Sequence, residues 1–341
     1  MTIGGDEELL LRRSLDSNAL ELILFPTEQC NFRCEYCYES FENGRMKEWV
    51  VTAISNLISL REKTLSHLTL SWFGGEPLAA FDVIERISDV AVRTLGRGKV
   101  SGNITTNGYF LSVEKAATLL GYGVNTFHVS LDGYGEIHNA SRKLHGGGAT
   151  FGRIWSNLVA LKQIEANFDL RLRIHYSTSS ADQMIPLIDA LNSEFGGDHR
   201  VSVYFSPIEN YGGPNGRHLK SISPEEKRRI EVMLYEKLGS AVGRAATKNF
   251  RDRYVCYAAM GNSLAIRSDG SLAKCTVALK SEINSLGKIN ENGELTVDDE
   301  KYRQWIESSI VGDWSSAACP AKKVVWRRQS IPISVPISVA S

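Results

Sequence analysis

LELILFPTEQCNFRCEYCYE, residues 20–39, sets a six-residue apolar run against a loop that holds three of the chain's six cysteines. Leu20 to Phe25 has the length and composition of a strand, and Cys30, Cys34 and Cys37 follow it in a C-x3-C-x2-C arrangement. Five more runs of the same kind lie downstream: HLTLSWF (67–73), VSGNITT (100–106), NTFHVSL (125–131), LRLRIHYS (170–177) and RVSVYFS (200–206). Between them the spacing predicts helices, with Val50, Ile54, Leu57 and Ile58 on one face, Ile84, Ile87 and Ala91 on another, and Ile154, Leu158 and Leu161 on a third. Most of the runs read as apolar on both faces, which favours parallel strands over solvated antiparallel edges. Six strand-then-helix units predict an α/β fold, a partial (β/α)6 TIM-like barrel.

The style changes after YGGPNGR (211–217), a Gly- and Pro-rich connector. Ser223 followed by Pro224, Glu225 and Glu226 reads as a capped helix start, running to about Leu238. SLAIRSDGSLAKC (263–275) reads as a hairpin turning at Asp269-Gly270. The expected division is an N-terminal arm (1–19), the partial barrel (20–218), a linker helix with a small C-terminal unit (219–329) and a low-complexity tail (330–341).

Composition bounds the function. The 341 residues are 43% hydrophobic and 23% charged, with Lys+Arg and Asp+Glu equal at 39, the profile of a globular chain and not of a disordered one. That balance gives no electrostatic case for nucleic acid, and no apolar stretch approaches the ~20 residues of a membrane span. MTIGGDEELLLRRS puts acids before its leucines and arginines after them, the reverse of a secretory signal, so the expected location is the cytoplasm. In a reducing compartment grouped thiols are metal ligands or catalysts more often than disulfides.

Polar and glycine-bearing motifs recur where the strands are expected to end: GGEP (74–77), TNG (106–108) and SLDG (130–133). Each alone is an ordinary turn, but all four loops, with the cysteine loop, fall on the rim where barrels carry their sites. A tight loop can supply three thiolates to an iron–sulfur cubane and leave its fourth iron open. Zinc is the rival, although structural zinc takes four ligands and no nearby His or Cys completes a set.

Cys30-Asn31-Phe32-Arg33-Cys34-Glu35-Tyr36-Cys37 resembles the signature of the radical S-adenosylmethionine (SAM) enzymes. The resemblance implies a 4Fe-4S cluster on Cys30, Cys34 and Cys37 that binds SAM at its open iron and cleaves it to a 5′-deoxyadenosyl radical. It further implies Tyr36 near the adenine, Gly74, Gly75 and Glu76 at the SAM amino group, and Thr106, Asn107, Ser130 and Asp132 at the ribose and methionyl carboxylate. Arg142 is a candidate partner for that carboxylate, with a solvated loop charge as the competing reading.

Cys256, Gly270 and Cys275, followed by Leu286-Gly287-Lys288-Ile289, resemble the opening of the auxiliary-cluster domains called SPASM or twitch. With Cys319 the chain offers three cysteines where the full pattern has seven, so at most one auxiliary cluster is expected, on Cys256, Cys275 and Cys319. Ser316 and Val325 stand where relatives commonly carry cysteine, and the tail reads as a truncated or frame-altered version of a longer ending. The combination looks most like maturases that cross-link or oxidise ribosomally made peptides, with flavodoxin or ferredoxin as electron donor. Sulfatase maturation ranks lower, because Thr276 replaces the aspartate those enzymes place after the second auxiliary cysteine. A small-molecule dehydrogenase and a non-catalytic iron–sulfur peptide binder are the alternatives. Glu209, Tyr211 and His175 are candidate bases, and His175 reads as a core histidine.

Overall fold

The computed structural model describes residues 5–212, 216, 219, 222–240, 242–244 and 254–326. Six strands follow the six apolar runs: β1 (Ala19–Leu24), β2 (His67–Trp72), β3 (Val100–Thr106), β4 (Val124–Leu131), β5 (Asp169–Tyr176) and β6 (Val201–Pro207). They lie side by side in chain order and pair in parallel throughout, with Leu22 against Leu70 and Leu172 against Val203 as examples of the register. Helices α1 (Gly5–Leu15), α2 (Glu48–Leu60), α3 (Phe81–Leu95), α4 (Val113–Gly121), α5 (Phe151–Ala160) and α6 (Ile185–Phe195) surround them. The last five are the crossovers, and parallel crossovers of this kind are right-handed. The expected α/β partial barrel is the observed architecture.

The reason given by the sequence for parallel strands needs correcting. Far from being apolar on both faces, the strands alternate. Along β5, Leu170, Leu172, Ile174 and Tyr176 are buried against the helices while Arg171, Arg173 and His175 are less covered, and β3 and β6 repeat the pattern. The polar face is stitched across strands, by Asn103 to Ser71 (2.7 Å), Ser71 to Glu21 (2.7 Å) and His67 to Ser101 (2.7 Å). Apolar side chains of the other face supply the core, including Leu22, Leu24, Leu70, Trp72, Ile104 and Phe127. Each Leu or Val buried this way contributes about 1.5–3 kcal/mol relative to exposure.

The C-terminal unit does not stand apart from this sheet. β8 (Ser263–Ile266) pairs in parallel with the free side of β1, Glu21 opposite Ser263, and β9 (Ser271–Ala273), β10 (Gly287–Ile289) and β11 (Leu295–Val297) continue antiparallel from it. With β7 (Gly243–Arg244) beyond β6, one sheet of 11 strands results. The hairpin turns where the sequence placed it: Gly270 has φ +83°, and a Cβ there would come within 2.5 Å of Trp49. α7 (Pro224–Leu238) opens on the Ser223–Glu226 capping box, and α8 (Asp299–Ile310) packs below. The tail at 330–341 and part of the 211–217 connector lie outside the described residues.

Candidate functional site

The loop after β1 is fixed from three sides before any ligand is considered. Met46 N donates to Pro26 O (2.8 Å), and Glu28, almost fully buried, accepts from Arg267 Nη2 (2.5 Å), Ser268 Oγ (3.1 Å) and Asn43 Nδ2 (3.2 Å). On the β2 side Gly75 N donates to Thr27 O and Glu76 N to Gln29 O. A Cβ on Gly74 or Gly75 would lie 2.3 Å from Thr27 O or 2.4 Å from Gln29 O. The glycines of GGEP are therefore required for the loop's own backbone to pack against the cysteine loop.

Within the loop, Phe32–Cys34 forms a short antiparallel ladder with Arg142–Leu144, Cys34 opposite Arg142. Cys37 N donates to Cys34 O (3.2 Å), Phe32 N to Cys30 Sγ (3.3 Å), and Asn107 Nδ2 lies 3.8 Å from the same sulfur. The three thiols sense one another electrostatically. Burial pushes all three up, Cys37 to about 12, and Arg142 opposes the rise at Cys34. Thiols covered within one short loop, with N–H donors on one sulfur and a buried guanidinium opposite another, suit a cluster, whose irons would supply the positive charge that thiolates there need. Among the described residues no three or more His, Cys, Asp or Glu side chains stand close enough to hold one metal ion, the loop thiols included, so either group would require the loop to close around it.

The other three rim motifs converge on this loop. Glu76, fully buried, accepts from Thr106 Oγ1 (2.7 Å), Leu78 N (2.9 Å) and Asn107 N (2.7 Å), so it ties the end of β2 to the end of β3. Its Oε2 has capacity for one more donor. Asn107 also donates to Asn31 Oδ1 (2.8 Å). Ser130 accepts from Arg173 Nε (3.1 Å) and Nη2 (2.9 Å).

Asp132 is the centre of a buried polar network. Its Oδ1 accepts from Tyr36 OH (2.9 Å) and lies 3.2 Å from His175 Nδ1, while Oδ2 accepts from Ser141 Oγ (2.6 Å). Arg142 Nη1 donates to Tyr36 OH (2.5 Å) and stands 3.7 Å from Asp132. Burial alone would raise the Asp132 carboxyl, yet Arg142 and His175 outweigh it and hold the group well below the usual carboxylate range. His175 is lowered to about 4, chiefly by burial. His175 Nδ1 faces both Asp132 Oδ1 (3.2 Å) and Tyr36 OH (3.0 Å), and it can bond to the ionised carboxylate only as a donor.

One reading of the sequence changes here. Arg142 is no solvated loop charge, being 7% exposed, with Nε unpartnered. His175 is the covered, satisfied histidine that the sequence suggests, and its partners are Tyr36 and Asp132, with ring centroids 5.1 Å apart for Tyr36 and His175. Tyr211 donates to Glu209 (2.6 Å) on the exposed side of the mouth.

The second cysteine set is assembled from three distant segments. Cys256 N donates to Ala317 O (2.9 Å), and Cys275 N, just after β9, donates to Asn284 Oδ1 (2.9 Å). Cys275 senses both Cys256 and Cys319. Cys256 and Cys275 are buried and Cys319 is half-buried. Lys274, fully buried, donates to Ser263 O (2.6 Å) and Met260 O. Thr276 Oγ1 lies 2.7 Å from Tyr257 OH, a hydroxyl pair in which no carboxylate takes part. Burial raises the Tyr38 hydroxyl well above its usual range, and Glu39, Cys37 and Cys275 add to the rise.

A parallel partial barrel with a trio of thiols at its mouth defines a class that binds a cluster and a nucleotide at the strand ends. Residues 24–169 match the Radical SAM superfamily, and the chain carries a radical SAM domain, which works with a 4Fe-4S cluster and SAM. It is 28% identical over 160 residues to the cysteine-type anaerobic sulfatase-maturating enzyme of Clostridium perfringens, covering 44% of this chain and 43% of that one, less than half the relative's length. To the GTP 3′,8-cyclase of Staphylococcus carnosus it is 22% identical over 311 residues, 86% of this chain and 84% of that one. Native anSMEcpe with bound AdoMet and Cp18Cys peptide shares the fold at TM-score 0.65 and 20% identity, covering 85% of this chain and 83% of that one. Streptococcus suis SuiB bound to the precursor peptide SuiA does so at TM-score 0.61 and 16% identity, covering 84% and 66%. No helix among the described residues is long and apolar enough to cross a membrane.

Proposed function

We propose that this radical SAM enzyme oxidises or cross-links a ribosomally synthesised peptide in the cytoplasm, with a flavodoxin or ferredoxin as electron donor. The observation that carries the reading is the cysteine loop after β1, tied to the ends of β2 and β3 through Gln29, Glu76 and Asn107, together with a second cysteine set within electrostatic reach of itself. Cys30, Cys34 and Cys37 would hold the 4Fe-4S cluster, and Cys256, Cys275 and Cys319 one auxiliary cluster. When bound, the cluster and SAM supply the electron and the 5′-deoxyadenosyl radical that removes a substrate hydrogen atom. The protein's part is positioning and exclusion of water.

In this reading Arg142, with its open Nε, receives the methionyl carboxylate, and Ser130, Thr106 and Asn107 border the nucleotide. Gly74 and Gly75 let the two loops close, and Glu76 braces them while keeping one acceptor position for the SAM amino group. Tyr36 stays fixed beside the adenine by Asp132 and Arg142. Sulfatase maturation itself is disfavoured by the hydroxyl at Thr276. A small-molecule substrate is the second reading, favoured by the long alignment with the GTP 3′,8-cyclase.

Anaerobically reconstituted protein, given dithionite and SAM, tests the core of the proposal: 5′-deoxyadenosine should be released, and its absence from iron-replete protein defeats the reading. Co-expression with a candidate precursor peptide, followed by mass spectrometry, tests the substrate. A loss of two hydrogens is expected for oxidation or cross-linking, and an unchanged peptide mass counts against it.

A further inference from the structure

Around the cysteine loop the charge is mostly of one sign. The ladder of Phe32–Cys34 against Arg142–Leu144 sets Arg33 opposite Lys143. Arg33 lies over the Phe41 ring (4.2 Å) and donates to Cys30 O (2.8 Å) and Phe32 O (2.7 Å), while the Lys143 side chain is 53% exposed. From the loop after β3, Tyr109 reaches the same ladder, its ring 5.8 Å from that of Phe32. Arg153 of α5 sits over Tyr109 (4.4 Å) and donates to Tyr109 O (3.0 Å). Lys115 of α4 lies 5.5 Å from the ring of Phe110, itself 5.4 Å from Tyr109.

These charges are not cancelled in place. Among the described residues Arg33, Lys115 and Arg153 sit on aromatic rings and form no ion pair, and Lys143 approaches Glu35 only to 3.7 Å. The chain from Arg142 to Ala160 carries no acid at all. Glu35 and Glu114 are the exposed acids of the cysteine loop and α4, so four cations face two acids on a chain whose positive and negative residues are otherwise equal at 39 each. Cations held over half-buried rings keep both their charge and their place, and such a face attracts an acidic partner by steering it as well as by holding it.

We propose that this face docks an acidic one-electron carrier protein, the reductant of the cluster held by Cys30, Cys34 and Cys37. The proposal rests on that cluster reading and deepens it by naming where the carrier sits. Buried Phe32 joins the face to the site: its ring meets Tyr109, and its N–H donates to Cys30 Sγ (3.3 Å). A carrier seated on Tyr109 is thus one ring away from the segment that carries the first cluster sulfur. The carrier gives up one electron and the cluster gains it, with no bond made or broken. Electron-transfer encounters bury little surface and depend on charge, which is what a rim of cations around two half-buried rings supplies.

The test uses the full-length, anaerobically reconstituted protein and flavodoxin as the carrier, with binding measured by calorimetry and cluster reduction by stopped-flow absorbance. Lys143→Glu with Arg153→Glu reverses two charges, and Lys143→Gln with Arg153→Gln removes them with less risk to folding. At about 50 mM salt the reversed variant should bind flavodoxin about tenfold or more weakly and be reduced by it correspondingly slowly, with the neutral variant between it and wild type. Raising the salt should weaken wild-type binding and narrow the gap. Dithionite needs no docking surface and should reduce both variants within about twofold of the wild-type rate. Variants equal to wild type, or wild-type protein that binds no flavodoxin, overturn the proposal. A matching loss with dithionite overturns it too, since the cations would then serve the cluster itself. Unchanged flavodoxin binding with weakened binding of an acetylated, amidated hexaglutamate peptide assigns the face to a peptide and also overturns it. Iron-replete wild-type protein that releases no 5′-deoxyadenosine with dithionite defeats the radical reading, whereas charge-dependent flavodoxin binding would leave the docking surface standing.

Discussion

The two cysteine trios are built by opposite means. Cys30, Cys34 and Cys37 occupy eight residues of one loop, so local chain geometry brings them together, and the fold only has to brace that loop. Cys256, Cys275 and Cys319 come from separate segments, Cys256 tied by its N–H to Ala317 after α8 and Cys275 by its N–H to Asn284 before β10, and Cys275 lies within electrostatic reach of the other two. A site of the first kind survives modest damage elsewhere, whereas one of the second kind depends on the whole C-terminal half. Lesions that reach only one trio can test the contrast.

The largest effect is expected from Cys34→Ala, which removes the central thiolate of the local trio. Iron bound at that loop should fall to background and 5′-deoxyadenosine release should vanish, as read by iron analysis and chromatography, while the melting temperature holds. Retained SAM cleavage would show that the loop is not the cluster site.

Next comes Glu28→Gln, which strikes the bracing and leaves the sulfurs in place. It strands Arg267 beside a neutral amide, and breaking a buried pair from one side costs on the order of 3 kcal/mol. Urea unfolding should show the loss, together with weakened cluster retention, because Arg267 is how the hairpin holds the cysteine loop. A stability equal to wild type would mean that the two regions are independent after all.

Acid should act through the polar face. His128 is lowered from 6.5 to about 4, chiefly by burial and then by Arg171 and Arg173. The unfolded chain therefore binds a proton that the folded chain refuses, and stability falls as pH drops from about 6.5 to about 4. The ceiling for this one group is about 3 kcal/mol. His128→Gln should flatten the pH dependence of urea midpoints in that window, and an unaltered slope would refute the assignment.

The smallest effect is expected from Cys319→Ala, at the half-buried member of the dispersed trio. SAM cleavage should stay within about twofold and the melting temperature within about 2 °C, with substrate conversion alone lost. Equal loss of both activities would show the C-terminal half to be needed for folding of the barrel site.

The same contrast explains what could be read from the chain. The barrel and the cysteine loop were legible because strand composition, helical spacing and a short motif are local signals. GGEP, TNG and SLDG were legible as rim loops, but not the partners they would find, since Glu76 meeting Thr106 and Asp132 meeting Tyr36 depend on which strand ends lie side by side. The strand runs read as more apolar than they are because their Ser, Thr and His residues fall on one face, a signal weaker than the Leu and Ile of the other. The resulting polar interior, with Arg173 and His175 on it, went unseen. Nothing in SLAIRSDGSLAKC says that its first strand will lie parallel to β1, a pairing separated by more than two hundred residues.

That pairing decides how the molecule can be taken apart. β8 covers the outer flank of β1, a strand rich in Leu and Ile whose main-chain groups it satisfies. A fragment ending after the barrel would bare those groups and present a flat, greasy border to its neighbours, the arrangement from which intermolecular sheets grow. Severing the C-terminal half is thus expected to yield insoluble protein rather than a soluble, simplified enzyme.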